Sequence, residues 1–240
     1  MKFGRGIREE NDFLKEVEFS KKAGFDFMQV WYYKGDIIIN SNGKDKTDLI
    51  KEIGFPIIIH AVLTVEEIEV YLHNIIEVLQ SLSHKELIIH PVCDEENISG
   101  ETIHSLRNSL DMASSELKKH GINLLVENNC RKTKLNYSVD DIKLIYTDNE
   151  EIELLLDIAH VDSYNHLEQI LEIREPKMLH IADKHFTVEH EHLPIGNGEL
   201  DFEKIFSEYL KEFTGKIILE IYDTDEEIED SLRKIQGIVS

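Results

Sequence analysis

Short apolar runs rich in β-branched residues recur along the chain, at 25–31, 56–60, 86–90, 122–127, 153–157, 176–181 and 216–221, with a weaker one at 3–7. Between them the apolar period changes. Over 66–82, Ile68, Tyr71, Leu72, Ile75, Ile76 and Leu79 share one helical face, while Glu66, Glu67, Asn74 and Glu77 lie elsewhere. Over 101–119, Ile103, Leu106, Leu110, Ala113 and Leu117 repeat the pattern, and His120-Gly121 supplies a helix stop. Shorter stretches with the same spacing predict helices at 10–23, 46–53, 138–146, 163–173, 201–213 and 225–236. Near-continuous apolar strands alternating with amphipathic helices describe a parallel sheet covered by helices.

Eight strands and eight helices in 240 residues predict an α/β protein built as a (β/α)8 barrel, a single domain over 1–240. That architecture typically takes about 250 residues. A doubly wound open sheet is the competitor, and it would favour a glycine-rich phosphate turn after the first strand. Here Gly4-Arg5-Gly6 falls inside the first run and lacks the third glycine. No Ser/Pro/Gly-rich linker divides the chain.

The residue at the end of each run carries the chemistry. Six consecutive runs carry His60, His90, Glu127, Asp157, His180 and Glu220 at or one residue before their ends. With 12 His and 48 Asp plus Glu in 240 residues, such types fill a quarter of the chain, so six in a row is far from chance. In a parallel barrel all strand C-termini meet on one face, where active sites of this fold are built. Gathering three carboxylates there without counter-charge costs several kcal/mol per desolvated ion. A divalent cation turns that repulsion into affinity. Glu127, Asp157 and Glu220 with the imidazole of His180 suit one Mn²⁺, Mg²⁺ or Co²⁺, and Zn²⁺ enters if His60 and His90 also coordinate.

Trp31, with Tyr32 and Tyr33, closes the second run at the same rim and offers a flat apolar face to a sugar ring. The longest connection, 182–200, holds His185, His190 and His192. Long loops over a barrel mouth often act as lids, which would bring His185 or His192 to substrate. Arg5 reads as half of a structural ion pair ahead of a contact to a substrate phosphate or carboxylate. Cys93 and Cys130, each three residues beyond a candidate ligand (His90 and Glu127), read as free thiols ahead of a soft-metal or redox role.

Charge narrows the partners. With 26 Lys plus Arg against 48 Asp plus Glu, the formal charge is −22, which disfavours nucleic acid and anionic membranes. Hydrophobic residues at 41% are enough for a core. No apolar run approaches the roughly 18 residues of a membrane span, and the first residues lack a secretory apolar region. Two cysteines are too few for a disulfide framework, so the expectation is a cytoplasmic protein with a small-molecule substrate. A homo-oligomer stays open.

Five pieces carry a resemblance. They are Val126-Glu127-Asn128; Leu156-Asp157-Ile158-Ala159-His160; His180-Ile181-Ala182-Asp183; His192-Leu193-Pro194-Ile195-Gly196-Asn197-Gly198 with Asp201-Phe202; and Leu219-Glu220. With them the chain resembles the xylose-isomerase-like TIM-barrel superfamily, which holds sugar isomerases and epimerases beside endonuclease IV. The resemblance implies that Glu127, Asp157, His180 and Glu220 bind one divalent ion and that His160 holds a substrate hydroxyl. It also implies that Glu127 and Glu220 move a proton at carbon through an enediolate, in an isomerisation or an epimerisation. His60, His90, His185, His192 and Trp31 would complete the contacts to a sugar, sugar phosphate or polyol. Two departures matter. Asp183-Lys184-His185-Phe186 stands where such epimerases often carry an Arg, and His190 stands where the nuclease carries an Asp. The alternatives are a metal-dependent phosphodiesterase of the endonuclease IV type and a non-catalytic barrel that binds a sugar.

Overall fold

Eight parallel strands close into a ring in the computed structural model, which describes residues 1–93 and 98–239. They are β1 (Lys2–Gly6), β2 (Phe27–Tyr33), β4 (Ile57–Thr64), β5 (Glu86–Val92), β6 (Asn123–Glu127), β7 (Ile152–Asp157), β8 (Pro176–Ile181) and β9 (Lys216–Leu219). β1 pairs with both β2 and β9, which completes the circle and rules out the open sheet. The short β3 (Asp36–Ile38) folds back antiparallel on β2. Outside lie α1 (Phe13–Ala23), α2 (Lys46–Ile53), α3 (Val65–Ser81), α4 (Gly100–Lys119), α5 (Val139–Tyr146), α6 (Tyr164–Ile173), α7 (Phe202–Lys204) and α8 (Asp225–Ile238). The protein is a single-domain (β/α)8 barrel. No helix among the described residues is long and apolar enough to cross a membrane.

Local chemistry sets the helix ends. Asp12 caps α1 by accepting from Lys15 N, and Thr64 with Glu67 forms a capping box that starts α3 directly at the end of β4. The helix expected over 201–213 is shorter. α7 runs into a π-helical turn, Ile205–Tyr209, where Leu210 N–H donates to Ile205 O at 2.9 Å.

Two strands also differ from the pattern. The apolar runs placed His60 and His90 at strand ends, but β4 continues to Thr64 and β5 to Val92. The ladder simply carries on past them: His60 pairs with Trp31 and Ile88, and His90 with Val62. A polar residue here marks a change of layer inside the barrel, not the end of pairing.

Side-chain alternation divides the apolar residues into two bodies. Phe27, Ile58, Ile88, Leu125, Leu155, Met178 and Ile218 point inward and form their own cluster in the lumen. The larger cluster lies between the strands and the helices. β1 contributes glycine to the lumen, because Gly4 is opposite Phe27 and a Cβ there would collide with the Phe27 ring. Gly4→Ala is therefore expected to overpack the lumen and lower stability by about 1–3 kcal/mol. A urea midpoint equal to that of the parent would contradict this packing.

Arg5, between the lumen-facing glycines, points out under α1. It is fully buried and ion-pairs with Glu16, which also accepts from Arg8 N at 3.1 Å, Arg8 Nη2 at 2.7 Å and Asn11 Nδ2 at 2.8 Å. Its role in the fold is this buried charge pair.

Candidate metal and substrate site

Successive inward side chains on a strand are two residues apart. One step beyond the apolar plug, β2, β4, β5, β6, β7, β8 and the residue after β9 present Gln29, His60, His90, Glu127, Asp157, His180 and Glu220. The barrel thus stacks a polar layer on an apolar one. In that layer Glu127, Asp157, His180 and Glu220, all buried, each bring one ligand atom within 4.8 Å of the others.

Hydrogen bonds fix the ring of side chains. His180 donates from Nε2 to Gln29 Oε1 at 2.7 Å, which leaves Nδ1, 2.9 Å from Glu127 Oε1, to share a proton with that carboxylate or to offer its lone pair to an ion. Gln29 Nε2 donates to Glu220 Oε1 at 2.6 Å, and His90 Nδ1 to Glu127 Oε2 at 2.6 Å. His60 Nε2 lies 3.0 Å from Glu127 Oε2 but is too misaligned to hydrogen-bond, so both of its buried nitrogens lack a partner. Asp157 is aimed by its surroundings. Its Oδ1 accepts from Ala159 N at 2.7 Å, and its backbone N–H donates to Asn128 Oδ1 at 2.8 Å. That leaves Oδ2 buried, facing the cluster and without a partner.

Histidines supply the charge that three buried carboxylates need. Burial pushes the His60 imidazolium down, but Glu127 and Glu220 outweigh it and hold its pKa up at about 9. Burial would raise Glu127, yet His90, His180 and His60 keep it well below the usual carboxylate range. Glu220 is depressed in the same way by His180 and His60. Asp157 is pushed up to about 7 by burial, with Glu127 and Glu220 adding to the rise against the pull of His192. Three carboxylates with one imidazole, one carboxylate oxygen unpartnered, match the donor set of an oxygen-preferring divalent cation. The residues present fit such an ion.

Above the polar layer opens a cavity of about 900 Å³. Its walls include the next inward set, Trp31, Val62, Val92 and Tyr222, and its base includes His90, His160, His192 and Glu220. Trp31 stacks over His60 with ring centroids 4.5 Å apart. His192 sits between Asp157 and Glu220, 3.5 Å from each. His160 donates from Nδ1 to Asn128 O at 2.9 Å, and burial lowers its pKa to about 4, so Nε2 carries a free lone pair.

The loop 182–200 is pinned at its base. Asp183 accepts from Gly196 N at 2.8 Å, Gly198 N at 2.9 Å and Leu200 N at 3.1 Å, and exchanges two 2.8 Å backbone bonds with Leu193. A Cβ at Gly198 would collide with Asp183 Oδ1 and the Lys184 backbone, so glycine is needed there. This anchoring turns His192 into the cavity. His185 lies apart, half-exposed, with Nδ1 2.9 Å from Glu191 Oε2.

Gln29 is absent from the expected site residues, and although Cys130, His190 and Asn128 each stand out in the sequence, the approach of Cys130 to His190 does not. Gln29 had a signal: it is a polar residue at an inward position inside an otherwise apolar strand. Cys130 is buried, and a hydrogen bond to His190 brings its thiol down to about 7 although burial opposes it.

Residues 17–238 match the family model described as xylose isomerase-like TIM barrel. The chain belongs to this family. Among solved structures, a D-tagatose 3-epimerase-like protein superposes on this family member with a TM-score of 0.79, covering 100% of this chain and 98% of its own at 19% identity. The IOLI protein with a bound zinc atom gives 0.74, with 100% and 98% coverage at 18% identity. A 3-keto-D-glucoside 4-epimerase from E. coli gives 0.74, with 99% of both chains covered at 18% identity. At such identities the likeness establishes the fold of this xylose isomerase-like barrel. No curated protein matches its sequence significantly.

Proposed function

We propose that this barrel is a divalent-metal-dependent isomerase or epimerase acting on a sugar, sugar phosphate or related polyol. The observation that carries the reading is the pair Glu127 and Glu220, buried, held ionised, and set in one donor cluster with Asp157 and His180 at the base of an open cavity. The structural neighbours named as sugar epimerases support it.

Glu127, Asp157, His180 and Glu220 would hold the ion. When bound, a divalent cation there supplies positive charge beside a substrate carbonyl and an adjacent hydroxyl, opposing the negative charge that grows as a neighbouring C–H proton leaves. The protein's own groups move the proton. One glutamate, as carboxylate, takes it while the C–H electron pair shifts into the carbonyl to give an enediolate. The opposite glutamate, which gains a proton from solvent in the cavity once the substrate is bound, returns it to carbon from the other face, and the first glutamate gives its own proton back to solvent. Delivery to the same carbon inverts it; delivery to the adjacent carbon exchanges aldose and ketose. Gln29 holds His180 and Glu220 in register, and His90, partly exposed to the cavity and bonded to Glu127, connects that carboxylate to bulk protons. Trp31 offers its face to the sugar ring.

The test is a panel of free and phosphorylated ketoses incubated with protein and Mn²⁺ in D₂O. Deuterium at the carbon beside the carbonyl, together with an epimeric or isomeric product, is expected. Chelation should stop both, and added Mn²⁺ should restore them. No exchange on any member of the panel overturns the reading, and nicking of abasic duplex DNA would replace it with a phosphodiesterase.

A further inference from the structure

We propose that Cys130, His160 and His190 form a second, sulfur-containing metal site that takes a Zn²⁺-like ion and fastens the loop 182–200 to the barrel. Their ligand atoms lie within 4.8 Å of one another, on three different segments: the connection after β6, the turn after β7, and the long loop after β8. The inference stands on this constellation and needs no part of the isomerase reading.

The decisive atom is His160 Nε2. It is buried, has no hydrogen-bond partner, and its lone pair is fixed by the bond from Nδ1 to Asn128 O at 2.9 Å. Metal-bound imidazoles are typically oriented in this way, through the nitrogen that does not bind the ion. Cys130 is buried beside it, with Thr133 Oγ1 3.8 Å from its sulfur. His190 is exposed on the loop, its ring centroid 5.4 Å from that of His160. Three protein ligands leave a fourth, open position, as in solvent-accessible zinc sites.

Distances allow closure. Zn–S and Zn–N bonds of about 2.3 and 2.0 Å at a tetrahedral angle separate the ligand atoms by about 3.5 Å. Side-chain rotation of roughly 1 Å, open to the exposed His190, brings the set to that spacing. The thiol proton leaves to bulk water as the ion binds. Softness separates this site from its neighbour. One sulfur and two nitrogens prefer Zn²⁺ or Co²⁺, whereas the adjoining cluster is mostly oxygen. The sites touch at Asp157, whose Oδ2 is 3.5 Å from His160 Nε2. The assignment gives His160 Nε2 to an ion, in place of the substrate hydroxyl that the family resemblance implied.

Cobalt reads the site without any turnover. The full chain is stripped with a chelator and titrated with Co²⁺, and the near-ultraviolet thiolate-to-cobalt charge-transfer band is followed. The band is expected in the parent and in Glu220→Gln, which loses a ligand of the other cluster, and is expected to vanish in Cys130→Ser with Cys93 retained. His190→Ala, at an exposed position that leaves the barrel core untouched, should weaken the cobalt affinity of the band tenfold or more. No band in the parent at saturating Co²⁺ overturns the proposal. So does a band that survives Cys130→Ser, or a cobalt affinity unchanged in His190→Ala.

Discussion

Glu127→Gln and Glu220→Gln should each lower kcat by about 10²–10⁴-fold on whichever ketose the panel identifies, with the far-ultraviolet dichroism of the parent. The amide keeps the size of the side chain and one acceptor oxygen, so the bonds from His180 to residue 127 and from Gln29 to residue 220 can persist. What it cannot do is take up a proton. The double variant should be little worse than either single one, because two groups that act on one proton transfer are not additive. The measurement is kcat with solvent-deuterium exchange beside it. If either variant keeps more than half of the parental rate, the carboxylate pair is not the machinery. If exchange survives while product formation stops, the altered glutamate serves only to return the proton.

Glu16→Ala is expected to cost about 3–5 kcal/mol, because it leaves Arg5 buried with no counter-charge. For a chain of this size that corresponds to a fall in Tm of about 6–20 °C. The reason is local. Arg5 is completely buried beneath α1, and Glu16 accepts bonds from both Arg5 and Arg8, the latter also reaching Asp225 at 2.7 Å. Removing the carboxylate strands the Arg5 guanidinium, while Arg8 keeps Asp225. A urea titration giving a loss below about 1 kcal/mol would show that water reaches Arg5 and that the pair is dispensable.

Much of the barrel was readable from sequence, for a physical reason. A strand buried both by helices outside and by side chains inside shows an almost unbroken apolar run, as in Ile57-Ile58-Ile59 or Leu154-Leu155-Leu156. The acids and histidines at the ends of those runs stood out against them, and this is why Glu127, Asp157, His180 and Glu220 could be named together. The same contrast misled the boundaries of β4 and β5. His60 and His90 interrupt apolarity without interrupting pairing, since the polar layer lies within the ladder. Gln29 is the reverse case: neutral, flanked by Met28 and Val30, it passes for core until the alternation is counted from Phe27. His185 and His192 could not be told apart, because the direction of a long loop depends on a tertiary anchor. Here that anchor is Asp183, which gathers the backbone N–H groups of Gly196, Gly198 and Leu200.

The plug of seven inward apolar residues beneath the site forms a cluster separate from the larger one under the helices. Defects on the two sides of the sheet therefore meet only through backbone. Losses of stability incurred in the lumen and in the helical shell should sum independently when the altered residues lie more than about 7–10 Å apart. The evolutionary corollary is modularity. Sequence drift in the helical shell draws on a reserve of stability without distorting the floor on which the polar layer rests, so chains less than one-fifth identical can keep this scaffold.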